Sequence, residues 1–159
     1  MPTTPQQRQT TTAELVEQMG VFFQSEGFSR IAGRIFGRLL LSEEPLSLQG
    51  LARELRVSRA SISVDTRFLV HRGLVERVGR PGDRRAFYRI APELPLHTMQ
   101  LRLERMRKFN HLVREAHASG TFSRGPVKER LEEIGEAYAY FLKVLAQATA
   151  DWRDRATTS

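Results

Sequence analysis

Arginine is the residue type through which this sequence could act on a partner molecule. Between Ser47 and Ile90 the chain carries ten arginines and four acidic residues, a net charge of +6 out of +7 for the whole chain. A basic block inside a folded segment is typical of a protein that binds a polyanion. The alternative is a solubilising surface or a general preference for arginine, since 22 of the 25 basic residues are Arg.

Other kinds of chemistry find little support in the residue pattern. The absence of cysteine excludes disulfides, thiolate metal sites and cysteine nucleophiles. The sequence contains no Gly-Lys-Ser/Thr phosphate loop, no Gly-x-Ser-x-Gly elbow and no His-Glu-x-x-His pair. The four histidines are scattered, and His111 and His117, six residues apart, do not share a helix face. We therefore expect neither an enzyme nor a metal or cofactor site.

The length and hydropathy of the chain indicate its cellular location. A chain of 159 residues suits one small domain with helical extensions. No apolar run approaches the roughly 18 residues that a membrane span needs, and the polar start, Met1 to Thr12, lacks an apolar signal segment. These features predict a soluble cytoplasmic protein with no membrane partner.

The first quarter of the chain predicts an arm and a capped helix. Residues 1–10 show no periodicity and predict a flexible arm. Thr11 and Glu14 have the spacing of a capping box at the start of a helix over 11–26. We expect this N-terminal helix to take part in dimerisation.

A second helix is predicted from about Ser29 to Ser42. Gly33 and Gly37 lie one turn apart on it and would allow another backbone to approach closely. Arginines at four-residue spacing line one face of the same helix. Three readings stay open for that face, namely a solvated surface, phosphate contacts and acidic partners in a second subunit. The face is formed by Arg30, Arg34 and Arg38.

Two short helices separated by a tight break follow. Ser47 can cap the first, Arg56-Val57 makes the break, and Ser58 can cap a second helix that runs from Arg59 to Arg72. This spacing is the layout of a helix-turn-helix. The inward residues of the second helix are predicted to be Ile62, Thr66, Leu69 and Val70.

If the second helix enters a DNA major groove, its outward residues would read the bases. Arg59 could form two hydrogen bonds with guanine, and Ala60 could contact a thymine methyl group. Arg56 and Arg67 are better suited to hold phosphates. The full set of recognition-helix candidates is Ser58, Arg59, Ala60, Ser61, Ser63 and Arg67, with Ser58 also read as a plain helix cap.

A hairpin with a basic tip is predicted after this helix. Two alternating segments, 74–78 and 86–90, flank seven residues rich in turn formers, 79–85. Arginines on a narrow hairpin can enter the minor groove, and an ordinary solvated turn is the alternative. The candidates are Arg80, Arg84 and Arg85, with Asp83 expected to brace an arginine and the turn.

The C-terminal residues, 92–159, predict two helices that serve as a dimerisation region. A long helix follows Pro92, and Pro126 suits the first turn of the last helix. Apolar residues recur on that helix at alternating steps of four and three, the pattern of a helix packed along another helix. Packing against α-helices of the same chain is the alternative to dimerisation. The predicted seam residues are Leu131, Ile134, Tyr138, Phe141 and Leu145.

Three segments resemble the MarR-type winged-helix transcription regulators. They are SLQGLARELRVSRASIS (47–63), HRGLVERV (71–78) and RPGDRRAFYRI (80–90), and GFSRIAGRIFGRLL (27–40) is similar to the GbsR-like branch of that group. The resemblance implies a dimer with two recognition helices on a pseudo-palindromic operator. It also implies that Arg84 or Arg85 reaches the minor groove while Asp83 supports the wing. In many relatives a small ligand binds between the dimer helices and the DNA-binding part.

The sequence thus predicts a mainly α protein with a winged helix-turn-helix over 27–91, flanked by N- and C-terminal dimerisation helices. The expected function is that of a sequence-specific transcription regulator, a repressor, that binds double-stranded DNA as a homodimer and responds to a small-molecule effector. Two alternatives remain, a winged helix that docks another protein and an architectural DNA binder without sequence preference. Exposure of both Val64 and Phe68 would favour protein docking.

Overall fold

Helices dominate the part of the chain that the structure describes. The computed structural model describes residues 11–122 and 124–158, so the predicted arm, 1–10, lies outside the described residues. The chain divides into two compact units with the boundary between Pro92 and Glu93. The first unit contains α1 (Thr12–Ser25), α2 (Arg30–Leu40), β1 (Leu46–Ser47), α3 (Leu48–Leu55), α4 (Arg59–His71), β2 (Val75–Arg80) and β3 (Asp83–Ile90), and the second contains α5 (Leu94–Ala118) and α6 (Pro126–Thr158).

A hydroxyl side chain caps each of the first four helices. At the start of α1, Thr11 Oγ1 accepts from the Glu14 backbone N–H at 3.2 Å, and the Glu14 carboxylate accepts from the Thr11 N–H at 2.8 Å. Ser29, Ser47 and Ser58 accept from backbone N–H groups of α2, α3 and α4 in the same way. These caps satisfy N–H groups that have no partner within the helix. The predicted caps at Thr11, Ser47 and Ser58 are confirmed.

Helices α1 and α2 approach each other closely where α2 has glycine. An added Cβ atom at Gly33 would lie 2.4 Å from the Met19 carbonyl oxygen and 2.8 Å from Gly20 Cα. An added Cβ at Gly37 would lie 3.0 Å from Met19 Cβ. The close backbone approach that the two glycines predict is therefore confirmed, and α1 is the helix that makes it.

The core of the first unit lies between the helices and the sheet. Its largest fully buried side chains are Ile35 on α2, Leu51 on α3, Ile62 and Leu69 on α4, and Val75 on β2. The inward face of α4 was predicted correctly apart from one residue.

That residue is Val70, which is 37% exposed rather than inward-facing. Its neighbour Leu69 is fully buried, and adjacent helix positions differ by about 100° around the helix axis. Val70 therefore lies at the edge of the buried face.

The three strands form one antiparallel sheet in the order β1-β3-β2. Strand β1 pairs with β3 through Leu46↔Tyr88, a pairing that the sequence did not predict. The predicted long hairpin tip is wrong, because β2 continues to Arg80, which pairs with Asp83. Only Pro81 and Gly82 remain as the turn, and Gly82 has a φ of +79°, a conformation that glycine adopts without strain.

The second unit is a pair of packed helices. The rings of Phe109 on α5 and Tyr138 on α6 lie 4.7 Å apart between their centroids. His117 Nε2 and Glu132 Oε1 lie 3.0 Å apart, and this hydrogen bond lowers the pKa of the Glu132 carboxyl. Part of the predicted α6 seam thus packs within the same chain, as the alternative reading proposed, while Phe141 remains 52% exposed.

None of the helices in residues 11–122 and 124–158 has both the length and the apolar character needed to cross a bilayer.

Candidate nucleic-acid interface

The start of α4 is held in place by a turn with an unusual backbone conformation. Arg56 ends α3 in the left-handed region, with a φ of 54° and a ψ of 46°. The following Val57 N–H donates to the Ala52 carbonyl at 3.1 Å, which closes the turn. Ser58 then caps α4 by accepting from the Ser61 N–H at 3.2 Å, and the Ser58 and Ser61 hydroxyls lie 2.9 Å apart. The two serines therefore fix the first turn of the helix.

The remaining predicted residues of α4 lie along its solvent side. Arg59, Ala60 and Arg67 are exposed, and Ser63 is half-buried. The Arg67 Nε–H donates to the Ser63 carbonyl at 3.3 Å, which orients the guanidinium along the helix surface. The opposite face, with Ile62 and Leu69, is fully buried. The structure thus brings the predicted base-reading residues together on one exposed surface.

Each of the four acidic residues in the basic block is bound to a side-chain partner. Glu54 pairs with Arg38, Glu76 with Arg89, and Asp83 with Arg85. Asp65 accepts a hydrogen bond from the Ser29 hydroxyl at 3.1 Å, and burial raises the pKa of its carboxyl. Each of these four carboxylates therefore has a side-chain partner within the protein.

Several arginines of the block lack a comparable partner. Within the described part of the chain, no acidic side chain pairs with the arginines that flank the start of α4 or with Arg84 of the wing. Arg72 is different, because its guanidinium lies 5.4 Å from the Phe28 ring centre and 5.2 Å from that of Phe68. The arginines without an acidic partner among the described residues are Arg53, Arg56, Arg59, Arg67, Arg77 and Arg84. They leave positive charge uncompensated on the helix-turn-helix and the wing.

The wing, defined here as β2, β3 and their turn, is braced from both sides. The Asp83 carboxylate accepts from the Arg85 backbone N–H at 2.9 Å and from the Arg85 guanidinium at 2.6 Å. These bonds lower the Asp83 pKa from its ordinary value of 3.8 to about 2. Arg80 donates to Glu44 at 3.0 Å and stacks 4.4 Å from the Phe87 ring centre. Of the three predicted wing arginines, Arg84 is the exposed one that has no acidic partner in the described residues.

The arginine face of α2 serves the fold, in a way that none of the three open readings anticipated. Arg30 and Arg34 both pair with Glu17 on α1, at 3.1 and 2.7 Å. Arg34 also donates to the Leu55 carbonyl at 2.8 Å, at the end of α3. The acidic partner of Arg30 and Arg34 thus belongs to the same chain, and this face of α2 connects α1 to the helix-turn-helix.

One residue of interest received no role in the sequence prediction. Glu44, the anchor of Arg80, lies 36 positions earlier, and no local pattern reveals such a pair. Val64, whose exposure together with that of Phe68 would favour protein docking, lies on α4 and is 57% exposed.

No group of three or more His, Cys, Asp or Glu residues in the described ranges could hold a metal ion.

The two-helix unit with its short turn, followed by a sheet that ends in a basic hairpin, defines a winged helix-turn-helix protein. A model of the MarR family matches residues 26–86. The chain is 32% identical over 143 residues to the HTH-type transcriptional regulator MmpR5 of Mycobacterium tuberculosis, covering 89% of this chain and 87% of that protein. A crystal structure of a transcriptional regulator aligns with a TM-score of 0.73 and 30% identity, over 90% of this chain and 98% of that one.

The chain therefore belongs to the MarR family of DNA-binding transcription regulators. Its assignment to the GbsR-like branch stays a prediction, since these matches resolve the family and not its branches.

Proposed function

We propose that this chain is a homodimeric, sequence-specific repressor that acts in the cytoplasm on a pseudo-palindromic operator and is released by a small ligand. The observation that carries the proposal is the division of charge in the basic block. All four acidic residues there have partners, whereas Arg56 before α4 and Arg59 and Arg67 on it have no acidic partner among the described residues. Such a surface attracts phosphates and offers donors to base edges.

Each polar side chain of the recognition surface has a proposed task. Arg59 forms two hydrogen bonds with a guanine, and Ser63 reaches a neighbouring base edge or phosphate. Arg56 and Arg67 bind phosphates and set the register of the helix on the duplex. Ser58 and Ser61 support this task indirectly, because their mutual contact keeps the N-terminal N–H groups of α4 in position.

The wing is proposed to approach the adjacent minor groove through Arg84. The Asp83–Arg85 pair supports this role by holding the hairpin, while the Arg80–Glu44 pair ties the hairpin to the segment before β1. A narrow minor groove has an increased negative potential, which favours an inserted guanidinium.

Dimerisation through α1, α5 and α6 would present two copies of α4 to one face of the DNA. Exposed apolar side chains on α6 support this arrangement, since Val127, Phe141 and Trp152 face solvent in the single chain. In two-fold symmetric helix-turn-helix proteins the half-sites lie about 34–36 Å apart, which is one helical turn.

Release by a small ligand is supported by a cleft in the second unit. The cleft has a volume of about 370 Å³, within the range of ligand pockets. Its walls are almost entirely apolar and come from both helices of the unit. The lining residues are Pro95, Leu96, Met99, Leu145, Ala148, Thr149 and Trp152.

The proposal is tested by binding the purified protein to duplex DNA from upstream of its own gene and to a scrambled duplex of equal composition. From about 50 to 200 mM salt, log K should fall with a slope near −0.9 per phosphate neutralised. We expect salt-sensitive binding with a clear preference for the native duplex. Equal binding to both duplexes would indicate an architectural role, and no binding at low salt would indicate a protein-docking surface.

Replacement of Arg59 with alanine is expected to relax sequence preference at one base pair in each half-site. A bidentate arginine–guanine contact contributes about 1–3 kcal/mol of discrimination, so the preference at that position should fall by roughly fivefold or more. The measurement is a competition assay with operators that carry every single base-pair change.

The matched control is Arg67→Ala, about two turns further along the exposed side of α4. Loss of a phosphate contact should weaken binding to all sequences alike and reduce the salt slope by about 1. If Arg59→Ala behaves in the same uniform way, Arg59 binds phosphate and does not read a base.

Protein docking is the competing function, and exposure of both Val64 and Phe68 would favour it. Phe68 packs against Phe28, with ring centres 5.6 Å apart, and against Arg72. Val64 alone of the pair is exposed, so the condition that would favour docking is met by one residue and not by both.

A further inference from the structure

Val64 lies at the centre of the proposed recognition surface. The residues of α4 that point into the core are Ile62, Thr66 and Leu69, all with no exposed area. With 3.6 residues per turn, Ala60 and Val64 point in the opposite direction. Val64 is 57% exposed and follows Ala60 by about one turn on the helix. Its isopropyl group therefore faces whatever partner α4 binds.

The surroundings of Val64 are basic and polar, which makes its residue type informative. Arg67 lies one turn after it, Ser63 lies beside it, and Arg59 begins the same helix. Single exposed valines are common on protein surfaces, so exposure alone carries no conclusion. A β-branched residue also has a slightly lower helix propensity than Lys, Gln or Glu, which would serve an exposed site better. The positive charge around Val64 fits a DNA partner better than an apolar protein surface.

In the major groove, thymine is the base that presents an apolar group. Its C5 methyl stands beside the O4 acceptor, and side-chain methyl groups contact it favourably. We propose that Val64 is a specificity-determining residue that recognises one thymine in each half-site through contact with this methyl group. This inference rests on the proposed function and adds to it an apolar position beside the polar contacts of Arg59 and Ser63.

The direct test removes the methyl group from the DNA. Each thymine of the operator is replaced in turn by deoxyuridine, in both half-sites together, and the Kd of the wild-type protein is measured. Burial of one methyl-sized group predicts about fourfold weaker binding per half-site and about fifteenfold for a dimer on two half-sites. We expect this loss of affinity at one thymine position in each half-site, and we expect it to require Val64.

The matching protein variants are Val64→Ala and Val64→Thr. The alanine variant should bind the thymine and uracil operators equally well at that position, because it has lost the contacting methyl groups. The threonine variant keeps one methyl group and should retain part of the difference. Val70→Ala, at a less exposed site near the end of the same helix, should keep the full wild-type difference.

The outcomes separate this inference from the proposed function. A wild-type protein that shows no preference for its operator overturns both. A clear operator preference without any uracil-sensitive position overturns only the role of Val64, as does a uracil effect that persists unchanged in Val64→Ala. Because Val64 is exposed, both variants should fold, and equal circular dichroism and thermal unfolding would establish that they do.

Discussion

The double substitution Phe141→Asp with Leu145→Asp is expected to dissociate the proposed homodimer into monomers. Both residues lie on the predicted seam of α6, where Phe141 is 52% exposed in the single chain and Leu145 is half-buried. A carboxylate that is buried without a partner costs about 3 kcal/mol or more, and two-fold symmetry places each new charge in the interface twice. Sedimentation equilibrium should give the mass of one chain, and operator affinity should fall because the two half-sites are no longer bound together.

The control for this pair places charge on the other face of the same helix. Ala139→Asp with Lys143→Asp alters exposed positions away from the seam and should leave the dimer intact. Phe141→Asp alone serves as a second test. Because Phe141 is exposed, its replacement should leave the packing of α5 on α6 intact. A dimer mass for all three variants would show that the seam is not the interface, and dissociation by the control alone would place the interface on the opposite face.

Local features of the fold could be read from the sequence because their causes are local. A capping hydroxyl acts on N–H groups two or three residues away, so Thr11, Ser47 and Ser58 were identified from spacing alone. The buried face of α4 follows from helical periodicity in the same way. Val70 marks the limit of this reasoning, because periodicity does not say how wide the buried face is.

The sheet shows where local reasoning fails. Strand β1 has two residues, and it exists because Leu46 and Ser47 pair with β3 about 40 positions later. The wing was predicted with a long loop because residues 79–85 are charged or turn-forming. Backbone pairing does not depend on those side chains, and β2 and β3 continue to Arg80↔Asp83 through an irregular register after Val78.

The residue types of the candidate site could be predicted from the sequence, but the pairing of its arginines with acidic residues could not. The sequence places ten arginines in one block and cannot say which of them meets an acid. Within the block Arg80 meets Glu44, and outside it Arg34 meets Glu17; both pairs depend on the tertiary fold. The uncompensated charge therefore emerges only when the acidic residues have been assigned to their partners.

The glycine contact between α1 and α2 leads to the second large effect. Gly33→Ala is expected to lower the free energy of unfolding by about 2 kcal/mol, because overpacking a tight contact commonly costs 1–3 kcal/mol or more. The new Cβ would meet the Met19 carbonyl oxygen at 2.4 Å and Phe23 Cβ at 2.7 Å. These atoms belong to or adjoin the backbone of α1, so the two helices must separate to admit the methyl group. Urea unfolding followed by circular dichroism measures the loss.

Gly50→Ala on α3 is the matched control, since its added Cβ meets only the Ser47 hydroxyl at an ordinary 3.5 Å. Alanine is a better helix former than glycine by up to about 1 kcal/mol, so this variant should be as stable as the wild type or more so. Gly37→Ala, with its nearest contact at 3.0 Å, should fall between the two. Equal stability of the Gly33 and Gly50 variants would mean that α1 does not pack against α2 at this distance. A rise in stability from the Gly33 variant through the Gly37 variant to the Gly50 variant would establish the close contact between α1 and α2.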